Sequence, residues 1–535
     1  MSDFLAGAGL LIAAAAAVVA ILLPPGRARS AAMLVALVLF PALILGDQWH
    51  TRAIADLRHD SGRLLGLAAL GLLASAGLAA SFRRWPILLP LAIVAALPFR
   101  IPLHAGGDTA NLLVPLYLVI AGGVLATAWA SWVSRRAAAP GPAGQAARSA
   151  PPRSPSGPAA RFPIVWLPRA LAAVVALYAV QTLYSSDFSK GLQDVCFFFV
   201  PFSLVYALLR DVTWDRRLLA LILWVVGVEA VAFVLVGSVE YLTRELFWND
   251  QVIRSNEFHT YFRVNSVFWD PNVYGRYLAL AIVIAMAALM WARERRTLAL
   301  LAGLVAVLWL GLAPTFSQSS FIALLAGLAV LAALRWSMKW TLASVALGAV
   351  AAVLVVTLVG GSSKINFSRI NIDTSGRANL VSGGLHLFAQ RPVQGYGSGS
   401  FQRAYNEHVD TGEVPVSVSH TEPVTVAAEQ GILGLAAYLA LLTTALWTMS
   451  SGLLRARPAG PVTGEGGPAV DPRSLLDPPP PAPPAGEIAA RAAVLAAFTA
   501  LLVHTMAYAG FYEDPIAWVL LAAGVSLAPA VRDPA

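Results

Sequence analysis

The stretch FLAGAGLLIAAAAAVVAILL, residues 4–23, decides the architecture. It carries no charged or polar side chain, and at helical rise it is long enough to cross the hydrocarbon core of a bilayer. A basic segment ahead of it and a small-residue cleavage site after it would mark a signal peptide, and neither is clear here. It therefore reads as a retained membrane helix.

The rest of the chain repeats this pattern. Of its 535 residues, 58% are hydrophobic and only 12% charged, and the mean hydropathy is +0.69. Further apolar runs lie near 31–46, 63–81, 85–99, 112–134, 164–184, 194–209 and 217–238. Others follow near 274–292, 297–313, 319–335, 340–359, 424–450, 488–510 and 515–531, the run at 85–99 being short enough to be re-entrant. The expectation is an all-α polytopic membrane protein of about 12–15 transmembrane helices. Cys196 is the only cysteine, which excludes an intramolecular disulfide and a cysteine-built metal site. It reads as a small buried apolar residue.

Lys and Arg set the orientation. Arg27, Arg29, Arg83, Arg84, the 135–161 stretch, RDVTWDRR at 210–217, RERR at 293–296, RWSMK at 335–339 and the 451–491 stretch alternate onto one side. That side is expected to be cytoplasmic. Much of the +8 net charge is topogenic in this way and gives no reason to infer a nucleic-acid partner. Two Pro/Gly/Ala-rich segments, 135–162 and 451–487, read as disordered cytoplasmic linkers. They divide the chain into N-terminal helices (1–134), a core (163–450) and C-terminal helices (488–535).

Two external loops are long, near 239–273 and 360–423, and long loops in compact proteins tend to carry function. Both hold arginines, including Arg244, Arg254, Arg263 and Arg276 in or beside the first, and Lys364, Arg369, Arg377, Arg391 and Arg403 in the second. Solvated loop charge or snorkelling to the headgroups is one reading. Recognition of an anionic group, a lipid diphosphate above all, is the other, since guanidinium forks match phosphate oxygens bidentately.

Within the larger loop, DTSGRANLVSGGLHLFAQRP at 373–392 reads as a short amphipathic helix with Leu380, Val381, Leu385 and Phe388 at helical spacing. Ser375 is a candidate cap, Pro392 ends the segment, and Arg377 falls in the first turn, where the helix dipole disfavours it. GYGSGSF at 395–401 lacks the strand and Lys-Ser/Thr of a nucleotide loop and reads as a flexible turn. In SVSHTEPVTVAAEQGILGL, residues 417–435, Thr421 is a candidate N-cap and Pro423 suits the first helical turn. His420 then stands ahead of a positive helix end, which favours a neutral ring able to take a proton. A loop histidine bonded into a turn is the plainer alternative. Glu422 either opposes the dipole or orients the ring.

HTEPVTVAAEQGILG at 420–434 resembles the histidine motif of the O-antigen ligase and polymerase superfamily, with His420, Gly431 and Gly434 at the family spacing and Thr421 departing at the second position. RVNSVFWDPNVYGRYLAL at 263–280 is similar to a second family stretch, through Arg263, Phe268, Pro271 and Asn272. TSGRANLVSGGLHLFAQRPVQGYGSGSF at 374–401 resembles a third, through Arg377, Pro392, Gly395 and Gly397. The resemblance covers roughly 200–450, and the first 160 residues and the last two spans match only as generic membrane helices. TFSQSSF at 315–321 departs from it, with Gln318 near a place where the family often has an arginine.

The resemblance implies a metal-independent, inverting glycosyltransferase without a cofactor. Its donor is an undecaprenyl-diphosphate-linked glycan, and its acceptor hydroxyl belongs to a lipid, glycan or protein on the external face. On this expectation Arg263 and Arg377 clamp the diphosphate and His420 is the base or acceptor orienter, with Asp270, Asn272, Glu422 and Arg403 as substrate-binding candidates. No metal site is expected, for no Asp-x-Asp pair or His-Glu-x-x-His helix occurs. A polymerase or a protein O-oligosaccharyltransferase of the same superfamily is the alternative, and a transporter or flippase is one from another class. Charges gathered at one face, with span centres nearly free of them, favour surface chemistry over translocation.

Overall fold

A computed structural model describes residues 3–51, 61–105, 108–133, 158–247, 261–337, 377–409, 419–453 and 485–528, with a few isolated positions between them. The expected span at 340–359, Ser375, Lys364, Arg369 and most of both linkers lie outside the described residues.

The fold is helical. The membrane helices are α1 (Asp3–Leu22), α2 (Arg27–Asp47), α3 (Ser61–Arg84), α5 (Val114–Val133), α6 (Pro158–Thr182), α7 (Phe188–Leu209), α8 (Arg216–Thr243), α9 (Pro271–Trp291), α10 (Arg295–Leu312), α11 (Gln318–Arg335), α14 (Glu422–Ser450) and α15 (Ala485–Thr505). Twelve helices among the described residues are long and apolar enough to cross a membrane, as the run lengths require. Four shorter helices complete the set: α4 (Leu88–Ala96), α12 (Arg377–Gln390), α13 (Phe401–His408) and α16 (Pro515–Ser526).

The all-α expectation holds, with two local refinements. The run at 85–99, expected to be short, is helical over only nine residues, about 14 Å of rise, and leads from Arg83, stacked on Trp129, to Phe99, packed on Phe233 at 5.8 Å. After it one short hairpin pairs β1 (Ile101–Ala105) antiparallel with β2 (Asp108–Leu112), Ile101 opposite Leu112. Both features occupy the return from α3 to α5.

Burial separates inner helices from lipid-facing ones. Over its most apolar window α7 is 83% buried and α9 67%, whereas α8 and α3 are each 17% buried. Leu70, Leu72 and Leu73 on α3 and Trp224 and Leu235 on α8 are exposed, as apolar side chains are where the solvent is lipid. Small residues let the inner helices approach. Where Gly327 of α11 meets α15, an added Cβ would lie 3.2 Å from the Ala496 carbonyl oxygen and 3.2 Å from the Ala500 methyl.

The two ends of the bundle differ in chemistry. At one end Arg29, buried, pairs with Asp211 and donates to the Ala207 carbonyl. Arg210 there donates to the Ile21 carbonyl, and Arg491 to that of Ser451. This is the end that gathers the basic connections. The opposite end carries the segments between α8 and α9, α10 and α11, and α15 and α16, together with α12, α13 and the start of α14.

Candidate functional site

The arginine loop comes first. Asp270 is the N-cap of α9, its carboxylate accepting from the Asn272 amide at 2.6 Å, with Pro271 in the first turn. That cap turns the Asn272 side chain back toward Arg263, whose Nη2 donates to Asn272 Oδ1 at 3.1 Å. Arg263 Nε donates to the Thr315 carbonyl at 2.9 Å, and Asn256 brackets its backbone on both sides at 3.0 Å. The guanidinium is thus aimed before any ligand arrives.

The loop behind it is fixed from α8. Glu240, fully buried, accepts from the Asn265 and Ser266 amides at 3.1 and 2.7 Å. Ser266 sits at φ 53, and its hydroxyl donates to the Phe233 carbonyl at 2.8 Å. Left-handed backbone is uncommon outside glycine. Only four described non-glycine residues adopt it, Arg244, Ser266, Phe316 and His420, and all four lie in the segments at this end. Such conformations cluster where function is built.

His420 owes its φ of 59 to its neighbour. The Ser419 hydroxyl accepts from the Thr421 amide at 3.1 Å and donates to the Thr421 carbonyl at 2.8 Å, closing a turn around the histidine. Thr421 is the N-cap of α14 by position, yet its hydroxyl does not cap: it donates to the Met506 carbonyl at 3.0 Å. Glu422 likewise turns to the segment between α15 and α16, accepting from the Gly510 and Phe511 amides at 2.7 and 3.1 Å while 5% exposed.

Residues 506–514 are therefore a wall of the site, although only generic helices were expected there. The Tyr508 ring lies 6.2 Å from that of His420 and 5.8 Å from that of His504. Its phenol faces Asp270: burial first, and then that carboxylate, push the phenol above its ordinary range. Asp514 pairs at 3.1 Å with Arg276, an arginine only 5% exposed one turn beyond Asn272. His504 meets the Ser319 hydroxyl at 3.2 Å within the Ser317–Ser320 cluster at the start of α11. A run of contacts thus leads from Arg263 through Asn272, Asp270 and Tyr508 to His420. Tyr508, His504 and Asp514 carry no motif, and only their proximity to a span end hinted at them.

The glycines of the first and third stretches have a physical account. At Gly431 (φ 63, ψ −161) α14 breaks, and the break releases carbonyls that an intact helix would use. Ala428 and Glu429 carbonyls accept from the Tyr396 and Gly397 amides at 3.2 and 2.8 Å, and the Gln430 carbonyl accepts from Gln181 at 3.0 Å. The Pro392 carbonyl accepts from the Ile432 amide at 2.8 Å. A Cβ on Gly431 would stand 2.2 Å from the Val393 carbonyl oxygen, so only glycine fits. The Glu429 carboxylate then accepts from the Gly399 and Phe401 amides at 2.9 and 3.0 Å. The expected flexible turn at 395–401 is instead a buried wedge, because these bonds satisfy its backbone on every side.

Of the other expected residues, Arg377 is the first residue of α12, and its side chain lies outside the described residues. The buried face of α12 is Gly383, Gly384 and Leu387 with Leu380, at i, i+3, i+4 and i+7; Leu385, expected inward, is 51% exposed. The packing of the α13 rings Phe401 and Tyr405 against the two glycines chose that face. Arg403 points outward from α13 and pairs with Glu407 at 2.9 Å, the bond holding the Glu407 carboxyl below its usual range. Gln318 is exposed beside the buried serines.

A comparison with curated proteins gave no match. Residues 304–439 match the family model described as O-antigen ligase, a segment holding α11, the glycine wedge, His420 and the break at Gly431 while leaving Arg263 outside it. The match falls on two of the three resembling stretches and supports the resemblance to the O-antigen ligase and polymerase superfamily.

Proposed function

We propose that this protein transfers a glycan from a polyprenyl-diphosphate donor, undecaprenyl in type, to an acceptor hydroxyl at the end of the bundle opposite its basic connections. With those connections cytoplasmic, the side that Lys and Arg favour, the reaction takes place on the external face of the inner membrane. The observation that carries the reading is the pre-aimed Arg263, joined through Asn272, Asp270 and Tyr508 to a histidine held in a strained turn.

The chemistry follows from the donor. The acceptor oxygen forms a bond to the anomeric carbon, the carbon–oxygen bond to the diphosphate breaks, and the diphosphate leaves with the electron pair. Displacement from the opposite face inverts the centre. The protein has two tasks: to stabilise charge growing on the diphosphate and to take the acceptor proton. Arg263 serves the first, with Arg377 brought by α12 as its partner. His420 serves the second. Asp270 and Asn272 aim Arg263, and Glu422 fixes the wall that Tyr508 belongs to. Arg403 stands at the outer rim, where a long glycan would pass.

The test is the glycan profile of cells lacking the gene, complemented with the parent or with His420→Ala at matched protein level. A ligase predicts long chains left on polyprenyl diphosphate with the acceptor bare. Accumulated single repeat units would make the protein a polymerase. A normal profile with His420→Ala would remove His420 as the base.

A further inference from the structure

On the basic half of the bundle, away from this site, α8, α9, α10, α15 and α16 enclose a cavity of about 790 Å³. Its size is that of a small-molecule pocket. Val226, Ala281, Ile284, Ala490 and Leu520 are among its apolar walls. It is lined on α9 from Ala292 at the basic end up to Tyr277, fifteen residues or about 22 Å along the helix. The inner end is polar, since the Tyr277 hydroxyl donates at 3.0 Å to Glu229, a carboxyl in the middle of α8.

The mouth has the opposite character. Arg216 and Arg293 line it, both exposed, between the indoles of Trp214 and Trp291. Arg217, Arg295 and Arg296 adjoin them in the chain. Three carboxylates adjoin the mouth as well: Asp215, which accepts from the Leu218 amide at 2.7 Å, Glu294, which accepts from the Thr297 hydroxyl at 3.1 Å, and Glu487 beside Gly486; the five arginines outnumber them. The N-termini of α8 and α10 open here, as do the C-termini of α9 and α16, so the helix ends offset one another and the guanidinium groups set the charge.

An apolar shaft within the membrane, with a cationic, indole-flanked mouth at its surface, suits one class of molecule. We propose that this cavity binds an anionic phospholipid from the leaflet at the basic end, its phosphate between Arg216 and Arg293 and its chains along α9. Neither the donor nor the transfer reaction enters this inference. The lipid joins the α15–α16 hairpin, which carries Tyr508 and Asp514, to α8 and α9, which flank the loop of Arg263. Juxtamembrane arginines and anionic lipids attract each other across the headgroup layer, and the cavity turns that general attraction into a site.

The experiment uses the full chain in phosphatidylcholine nanodiscs, with phosphatidylglycerol titrated in and thermal unfolding recorded. Phosphatidylglycerol is expected to raise Tm by roughly 2–4 °C. The Arg216→Glu/Arg293→Glu double variant should unfold like the parent in phosphatidylcholine and lose the phosphatidylglycerol shift. Ala489→Phe, which fills the shaft near its mouth, should lose it too, and if that variant does not fold, the surface double variant decides. Equal shifts in parent and double variant would mean annular lipid only and overturn the proposal. A shift given by glycerol 3-phosphate alone would also overturn it, in favour of a soluble phosphate at the mouth.

Discussion

The ring of Tyr508 stands 6.2 Å from that of His420, and its phenol faces Asp270 at the head of the arginine loop. A residue from the C-terminal hairpin thus touches both halves of the candidate site. Tyr508→Ala should lower kcat for glycan transfer by about 10²-fold through misplacement of the histidine, with KM little changed. Tyr508→Phe keeps the ring and should lose less. Initial rates with a purified lipid-linked donor decide, and parental kcat in Tyr508→Ala would remove the positioning role.

Arg263 is aimed by two bonds, to the Thr315 carbonyl and to Asn272 Oδ1. Lysine cannot reproduce that fork. Arg263→Lys should therefore cost about 10²-fold or more in kcat, the scale of losing one charge-stabilising donor. Asn272→Ala, which leaves the guanidinium but loosens it, should cost roughly 10-fold. If Arg263→Lys transferred at the parental rate, the diphosphate role would fail.

Glu422 accepts from the Gly510 and Phe511 amides in a buried setting. Glu422→Ala orphans both donors and should destabilise by about 1–3 kcal/mol. Glu422→Gln retains an acceptor oxygen and should melt closer to the parent. Thermal unfolding in detergent measures both. A Glu422→Gln protein with parental stability and a raised KM would show that the carboxylate also meets substrate.

Gly431 combines φ 63 with the Val393 carbonyl in the place of any Cβ. Gly431→Ala should cost about 1–3 kcal/mol from backbone strain alone, and the contact adds to that. The wedge at 392–399 should loosen with it, read as faster amide exchange at Tyr396 and Gly397. Unchanged exchange would mean that the break in α14 is not what holds the wedge.

The sequence was legible wherever one local rule governs. Run length and the absence of charge determine membrane helices, since a bilayer core leaves a backbone no other partners than its own. Short-range chemistry also placed Thr421 by position before α14. Arg263, Asn272 and His420 were visible because they belong to stretches whose spacing is preserved along one segment.

Tertiary structure decided what depends on contact between distant segments. The Thr421 hydroxyl and the Glu422 carboxylate had local uses open to them, as a helix cap and a first-turn charge, and both went instead to residues 506–511, which only folding brings near. The same holds for Tyr508, Asp514 and His504, which no spacing could mark. The buried face of α12 turned on the α13 rings packed against it, and the rigidity of 395–401 on a carboxylate of another helix. A sequence window records propensity and period along the chain. A hydrogen bond across the bundle is chosen by competition among all the partners that packing presents, and that competition is settled only in the folded molecule.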